Sequence, residues 1–220
     1  MDLIAFLIDF ILHLDVHLSN IIAQYGILTY GILFAIIFCE TGLVFAPFLP
    51  GDSLLFAAGT FAALGSLNIW FLFVLLAAAS ILGDTVNYWI GRAIGHKIVG
   101  WNTRFINKHH IERTQKFFEK HGGKTILLAR FVPIVRTFAP FIAGLGQMKY
   151  TRFLTYNVVG GFLWIALFLF GGFFFGNLSF VRDHFTVVIL AIVFLSLIPA
   201  VAEFWQTRKE AKEVTKGSDK

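Results

Sequence analysis

Thr125-Ile126-Leu127-Leu128-Ala129-Arg130-Phe131-Val132-Pro133-Ile134-Val135-Arg136-Thr137-Phe138-Ala139-Pro140-Phe141-Ile142-Ala143-Gly144 is an apolar run carrying two arginines and two prolines. Each proline removes a backbone donor and disfavours a continuing helix. In lipid, such a break survives only where protein or a water-filled cavity surrounds the backbone. The run therefore predicts a broken helical hairpin buried within a bundle, not a simple membrane span.

The rest of the chain fits that solvent. Of 220 residues, 57% are hydrophobic and 14% charged, and 27 are Phe. Soluble domains carry about a quarter charged residues, so the composition predicts one membrane domain with a short tail. A single cysteine, Cys39, excludes an intrachain disulfide and any multi-cysteine metal site. Residues 1–18 hold Asp2, Asp9 and Asp15 without Lys or Arg, so they lack the basic start of a signal peptide. Their apolar and polar positions separate at helical period, which predicts an amphipathic interfacial helix. His13 and His17 have metal-site spacing, but no third ligand accompanies them, and no cofactor is expected.

Charge maps the topology. The first 91 residues contain six acids and no Lys or Arg, whereas residues 92–124 hold eight bases against Glu112 and Glu119. Arg208, Lys209, Lys212, Lys216 and Lys220 mark a basic tail. Basic loops stay cytoplasmic, so residues 96–124 and the tail are expected inside and the N-terminus outside. The same placement in loops between apolar spans argues against nucleic acid as the partner of the basic charge.

Apolar segments run over 21–39, 53–64, 67–90, 125–143, 153–176 and 185–205. Segments 67–90, 153–176 and 185–205 have the roughly 20 residues of a full span. Segment 53–64 follows Pro47, Pro50 and Gly51, as 125–143 is cut by Pro133 and Pro140. Phe45–Gly51 matches Phe138–Gly144 at five of seven places, 93 residues apart. The expectation is an all-α integral membrane protein, an inverted repeat of two opposed re-entrant broken-helix hairpins with transmembrane and amphipathic interfacial helices. Residues 1–205 would be one membrane domain, the repeats covering about 1–95 and 105–205, and 206–220 a cytoplasmic tail. Residues 109–121 would be the cytoplasmic counterpart of residues 1–18. Such halves bind their cargo at the membrane midplane.

Ionisable groups at membrane depth cost roughly 2.5–3.5 kcal/mol each on the insertion scale and are functional candidates by default. Here the signs segregate: Glu40 and Asp52 flank the first break, Arg130 and Arg136 the second. Arginine offers a planar fork that matches phosphate bidentately, and Pro133 allows two arginines six positions apart to converge. The plainer reading is that they form buried ion pairs holding the hairpins together. Glu40 and Asp52 are candidates for proton coupling, and Asp52 also reads as a helix cap. Asp84, Asn87, Tyr88 and Gly91 form one polar stripe expected to face the bundle interior. Gly91/Gly95 and Gly172/Gly176 read as helix packing, and Trp101, Trp164 and Trp205 as interface anchors.

Phe38-Cys39-Glu40-Thr41-Gly42, Phe48-Leu49-Pro50-Gly51-Asp52-Ser53-Leu54-Leu55, Gly83-Asp84-Thr85-Val86-Asn87-Tyr88 and the run Phe118–Gly144 resemble the DedA family (VTT or SNARE-associated domain) over roughly residues 20–205. The resemblance implies opposed re-entrant hairpins, essential membrane-embedded acids at Glu40 and Asp52, and essential arginines at Arg130 and Arg136. It implies a bacterial inner-membrane protein that returns undecaprenyl (polyprenyl) phosphate to the cytoplasmic leaflet with proton-motive-force dependence. The competing expectations are a less selective phospholipid scramblase or a proton-coupled small-solute transporter, with oligomers open. An enzyme would need a nucleophile, metal cluster or phosphate loop, and the sequence offers none of these motifs.

Overall fold

The computed structural model describes residues 13–43, 51–98, 123–192 and 194, and all regular structure among them is helical. In chain order the helices are α1 (Leu14–Tyr25), α2 (Leu28–Gly42), α3 (Gly51–Ala63), α4 (Ile69–Ile98), α5 (Lys124–Ala129), α6 (Pro133–Leu145), α7 (Tyr150–Phe175) and α8 (Ser179–Asp183). A further helical run covers 185–192. The expected interfacial segment 109–121, the tail 206–220, Trp101, Trp205 and residues 1–12 of the N-terminal amphipathic segment lie outside the described residues.

Helix length separates two kinds of element. With 30 residues in α4 and 26 in α7, these helices rise about 45 and 39 Å, beyond the roughly 30 Å hydrocarbon core of a bilayer. Helices α2, α3 and α6 have 15, 13 and 13 residues and rise only about 20 Å, too short to cross it. The outward side of the long helices is apolar: Trp70, Phe71, Val74, Leu82 and Val86 on α4 and Phe162, Leu163, Leu167 and Phe174 on α7 are exposed. Most of the residues in their apolar windows lie at the surface. Such a surface suits hydrocarbon, not water.

Local sequence explains the breaks. Gly26 takes φ +49 between α1 and α2, a left-handed conformation that glycine adopts without Cβ penalty. The apolar segment expected at 21–39 is thus divided between two helices. Val132 is extended (φ −116, ψ 106) because Pro133 follows it, and Pro133 opens α6 at its first turn. Pro140, expected to break the hairpin again, does not: it lies buried inside α6. The missing donor interrupts one rung, and α6, packed along α4, continues through it. The Phe45–Gly51 and Phe138–Gly144 match is not the correspondence in helix order. Gly51 begins a helix, whereas Phe138–Gly144 lies inside one. The helices of equal rank are α3 and α6, each of 13 residues and each followed by a long helix.

The short helices cross over. Helix α3 packs along α7, and α6 along α4. Glycines permit both crossings: a Cβ at Gly172 would strike the Phe56 carbonyl, and one at Gly59 would strike the Leu169 carbonyl. Across the other interface, a Cβ at Gly91 would strike the Phe141 carbonyl, and one at Gly144 the Tyr88 carbonyl. Backbone contact of this kind drives helix association in lipid, where tails compete with any apolar side chain. The Thr60 hydroxyl lies 3.1 Å from the Phe56 carbonyl and 3.3 Å from the Gly172 carbonyl, within hydrogen-bonding reach of both helices.

Gly144→Val and Gly172→Val are therefore expected to lower the detergent melting temperature and fraction of folded protein markedly. Gly31→Ala and Gly171→Ala, whose added methyl meets nothing within 4 Å, should leave both near wild type. Equal behaviour of the two pairs in thermal unfolding would refute backbone contact as the source of packing.

Candidate functional site

Arg130 and Arg136 are buried, and each has its own set of partners. Arg136, on α6, reaches two carboxylates, one from α2 and one from α3. One Nη donates to Glu40 Oε1 at the end of α2, and the other to Asp52 Oδ1 in the first turn of α3, at 2.8 Å. Gly51 brings Glu40 close: its N–H donates to Glu40 Oε1 at 3.2 Å, and a Cβ at that position would occupy the carboxylate itself. Asp52 Oδ1 also accepts from Trp164 Nε1 at 2.8 Å. The Arg136 guanidinium carbon lies 4.6 Å from the centre of the Trp164 ring, within cation–π range.

Arg130, in the break between α5 and α6, faces α4 and α7. Its guanidinium donates to Asp84 Oδ2, to Asn157 Oδ1 and, at 2.6 Å, to the Ser80 hydroxyl. Asn157 is oriented by its own donor, which bonds the Ile81 carbonyl at 3.0 Å. Gly160 leaves room for the arginine stem, since a Cβ there would come 2.8 Å from Arg130 Cδ. The two guanidiniums thus do not converge on a shared partner. Asp84, expected as a supporting group in the polar stripe, is instead the counter-ion of Arg130.

The rest of the stripe faces inward as expected. Asn87 donates to the Thr41 carbonyl of α2 at 3.2 Å and to the Thr137 carbonyl of α6 at 2.7 Å, so one side chain of α4 ties α2 and α6. Tyr88 donates to the Met148 carbonyl, stacks on Phe153 at 4.5 Å and accepts from Arg92 at 2.9 Å. Among the described residues the interior network contains three carboxylates and two guanidiniums. Glu40 Oε2, Asp84 Oδ1 and the Nε of both arginines have no hydrogen-bond partner among the described residues.

The chain matches the VTT domain over residues 49–174. It is 52% identical to Protein DedA of Escherichia coli (strain K12), covering 98% of this chain and 100% of that protein. The chain belongs to the DedA family of membrane proteins. An uncharacterized membrane protein of Mycobacterium leprae, ML0287, is 45% identical over 82% of each chain, and the inner membrane protein YghB of Escherichia coli (strain K12) is 34% identical over 87% of this chain and 83% of that one. No solved structure matches the chain.

Against that family background, several neighbours of the arginines escaped the sequence reading. Trp164 was expected at the membrane interface; it is completely buried and sits against Arg136. No local pattern distinguishes it from an interfacial tryptophan, because its role is set by residues on α3 and α6. Asn157 was detectable as a polar residue within the apolar segment 153–176, and Ser80 as its counterpart within 67–90. Gly51 belongs to the Pro-Gly-Asp motif, but its closeness to Glu40 follows only from the hairpin.

Removing one partner of a buried ion pair leaves an uncompensated charge and costs about 3–5 kcal/mol. Asp84→Leu is expected to destabilise the protein on that scale, and Asp84→Leu combined with Arg130→Leu to recover much of the loss. Thermal unfolding in detergent of the single and double variants tests the pairing; additive losses would show that Asp84 and Arg130 act independently.

Proposed function

We propose that this protein is a carrier, not an enzyme, and that it moves a lipid phosphate of the undecaprenyl (polyprenyl) phosphate class to the cytoplasmic leaflet of a bacterial inner membrane, coupled to protons. The observation that carries the reading is Arg136, a guanidinium enclosed between two hairpins and held there by Glu40 and Asp52. A phosphate monoester presents the same paired oxygens to that fork and competes for it. Arg130 adds a second fixed positive charge to the phosphate site. The inner-membrane location draws on the printed description of YghB.

Charge balance supports proton coupling through Glu40 and Asp52. Three carboxylates against two guanidiniums already leave one negative charge in excess. An incoming phosphate adds at least one more, and low-dielectric surroundings make that excess costly. Protonating Glu40 or Asp52 releases Arg136 and offsets the added charge. Binding then takes up protons, and by linkage its affinity falls as pH rises.

In this reading the hairpins are re-entrant and the halves form an inverted repeat. Supporting it, α3 and α6 have equal length, and each packs on the long helix of the opposite half. Their ends carry the same 6→1 turn: Ser66 N–H to the Phe61 carbonyl, and Met148 N–H to the Ala143 carbonyl. Gly65 supplies the left-handed residue in one turn and Gln147 in the other. Gly91 and Gly95 precede Gly172 and Gly176 by the same interval, 172 − 91 = 176 − 95 = 81.

The deciding experiment is leaflet exchange in reconstituted vesicles, with polyprenyl phosphate compared against common phospholipids across pH. Wild type should exchange polyprenyl phosphate selectively, and Arg136→Lys should lose most activity, since a point charge replaces the fork. Glu40→Gln and Asp52→Asn should bind the lipid at least as well as wild type, lose its pH dependence and fail to cycle. Equal exchange of all lipids would favour a scramblase; unchanged pH dependence in both variants would remove the acids from coupling.

Orientation is open to a separate check. With Cys39→Ser, a Ser66→Cys label at the end of α3 should react from outside the cell. Labelling from the cytoplasmic side alone would reverse the proposed topology.

A further inference from the structure

Trp164 holds both members of an ion pair at once, from a third helix. Its N–H donates to Asp52 of α3, while its ring face lies against the Arg136 guanidinium of α6. Indole nitrogen is a donor only, so this bond requires an oxygen acceptor, which Asp52 provides whether or not its carboxyl is protonated. The ring engages the flat face of a guanidinium, whereas carboxylate and phosphate oxygens engage its N–H edges. The two modes do not compete. Asn157, seven residues earlier on α7 and so on the same face, holds Arg130.

We infer that Trp164 is the positioning residue that keeps Arg136 and Asp52 in place while the bonds between them open for a phosphate. The inference rests on the reading of Arg136 as the phosphate fork. Without a partner on its face, an arginine that released Glu40 and Asp52 inside the bundle would be an unpaired buried charge, free to swing. With its face on the indole, it keeps an electrostatic partner and presents its edge to an incoming anion. Asp52, released from Arg136, keeps the indole N–H. Trp164 thereby makes exchange of carboxylate for phosphate a local event and fixes the plane in which the phosphate is read.

The test uses full-length protein in detergent with Trp70, Trp89, Trp101 and Trp205 replaced by Phe, so that Trp164 is the sole tryptophan emitter. Farnesyl monophosphate is the probe, with farnesol and inorganic phosphate as controls for tail and headgroup. Emission should shift in Arg136→Gln and in Asp52→Asn without any ligand, and should shift saturably with farnesyl monophosphate but not with farnesol. Saturation by inorganic phosphate at the same site would identify the headgroup alone as sufficient for this contact. In the parent with all tryptophans present, Trp164→Leu should weaken farnesyl monophosphate binding about tenfold, the scale of a desolvated cation–π contact. Trp164→Phe, which keeps a ring face and loses the N–H, should weaken it by less than about threefold and serves where the Leu variant does not fold. If neither ligand-free variant moves the emission, or if Trp164→Leu binds as wild type does, the inference falls. If both variants shift emission but wild type ignores farnesyl monophosphate, the phosphate reading falls and the Trp164–Arg136–Asp52 unit stands as structure alone.

Discussion

A charge buried in a low-dielectric interior must be paired, and most of this structure follows from that constraint at Arg136. Its guanidinium bonds Glu40 from the end of one short helix and Asp52 from the start of the next. Those contacts require the end of α2 and the start of α3 to lie against α6. Gly51 makes the approach possible by leaving the Glu40 carboxylate unobstructed. Asn87 secures the same junction from α4 by bonding carbonyls adjacent in sequence to Glu40 and Arg136. A buried ion pair does not by itself add much stability over an apolar core. Its effect here is to tie α2, α3 and α6 together at one point.

The second constraint is the absence of a hydrophobic drive between helices in lipid. Close backbone approach at glycine replaces it. The exchange of short helices, α3 onto α7 and α6 onto α4, means that neither half encloses its own polar groups. Arg130 illustrates the consequence: its partners come from α4 and α7, one long helix from each side of the chain's midpoint. The polar network therefore lies where helices distant in sequence meet.

Helix α7 has a special place in that contact. Along one face it presents Asn157 to Arg130, Gly160 to the arginine stem, and Trp164 to Arg136 and Asp52. Away from that face the helix is apolar and exposed, with Phe162, Leu163 and Phe174. One helix thus separates hydrocarbon from a charged interior across its own diameter, which confines polar groups to the narrow region between the hairpins.

The amino-acid pattern by itself determined the solvent and the chemistry. Long apolar runs required lipid, Pro133 required a break, and rare intramembrane charges announced the residues that matter. The polar stripe Asp84, Asn87 and Tyr88 was readable because helical period reports which face a residue occupies. Period does not report what lies opposite that face. The pairing of Asp84 with Arg130, the division of Arg130 and Arg136 between separate partners, and the burial of Trp164 depended on which helix crosses which. The seven-residue match also says nothing of helix position: Gly51 starts a helix and Gly144 lies near the end of one, which only the folded chain displays. Pro140 likewise stayed within a helix because packing on α4 compensated for one lost hydrogen bond. Such outcomes belong to tertiary structure, since they are decided by contacts such as those between residues 46 to 112 positions apart, beyond the reach of any local pattern.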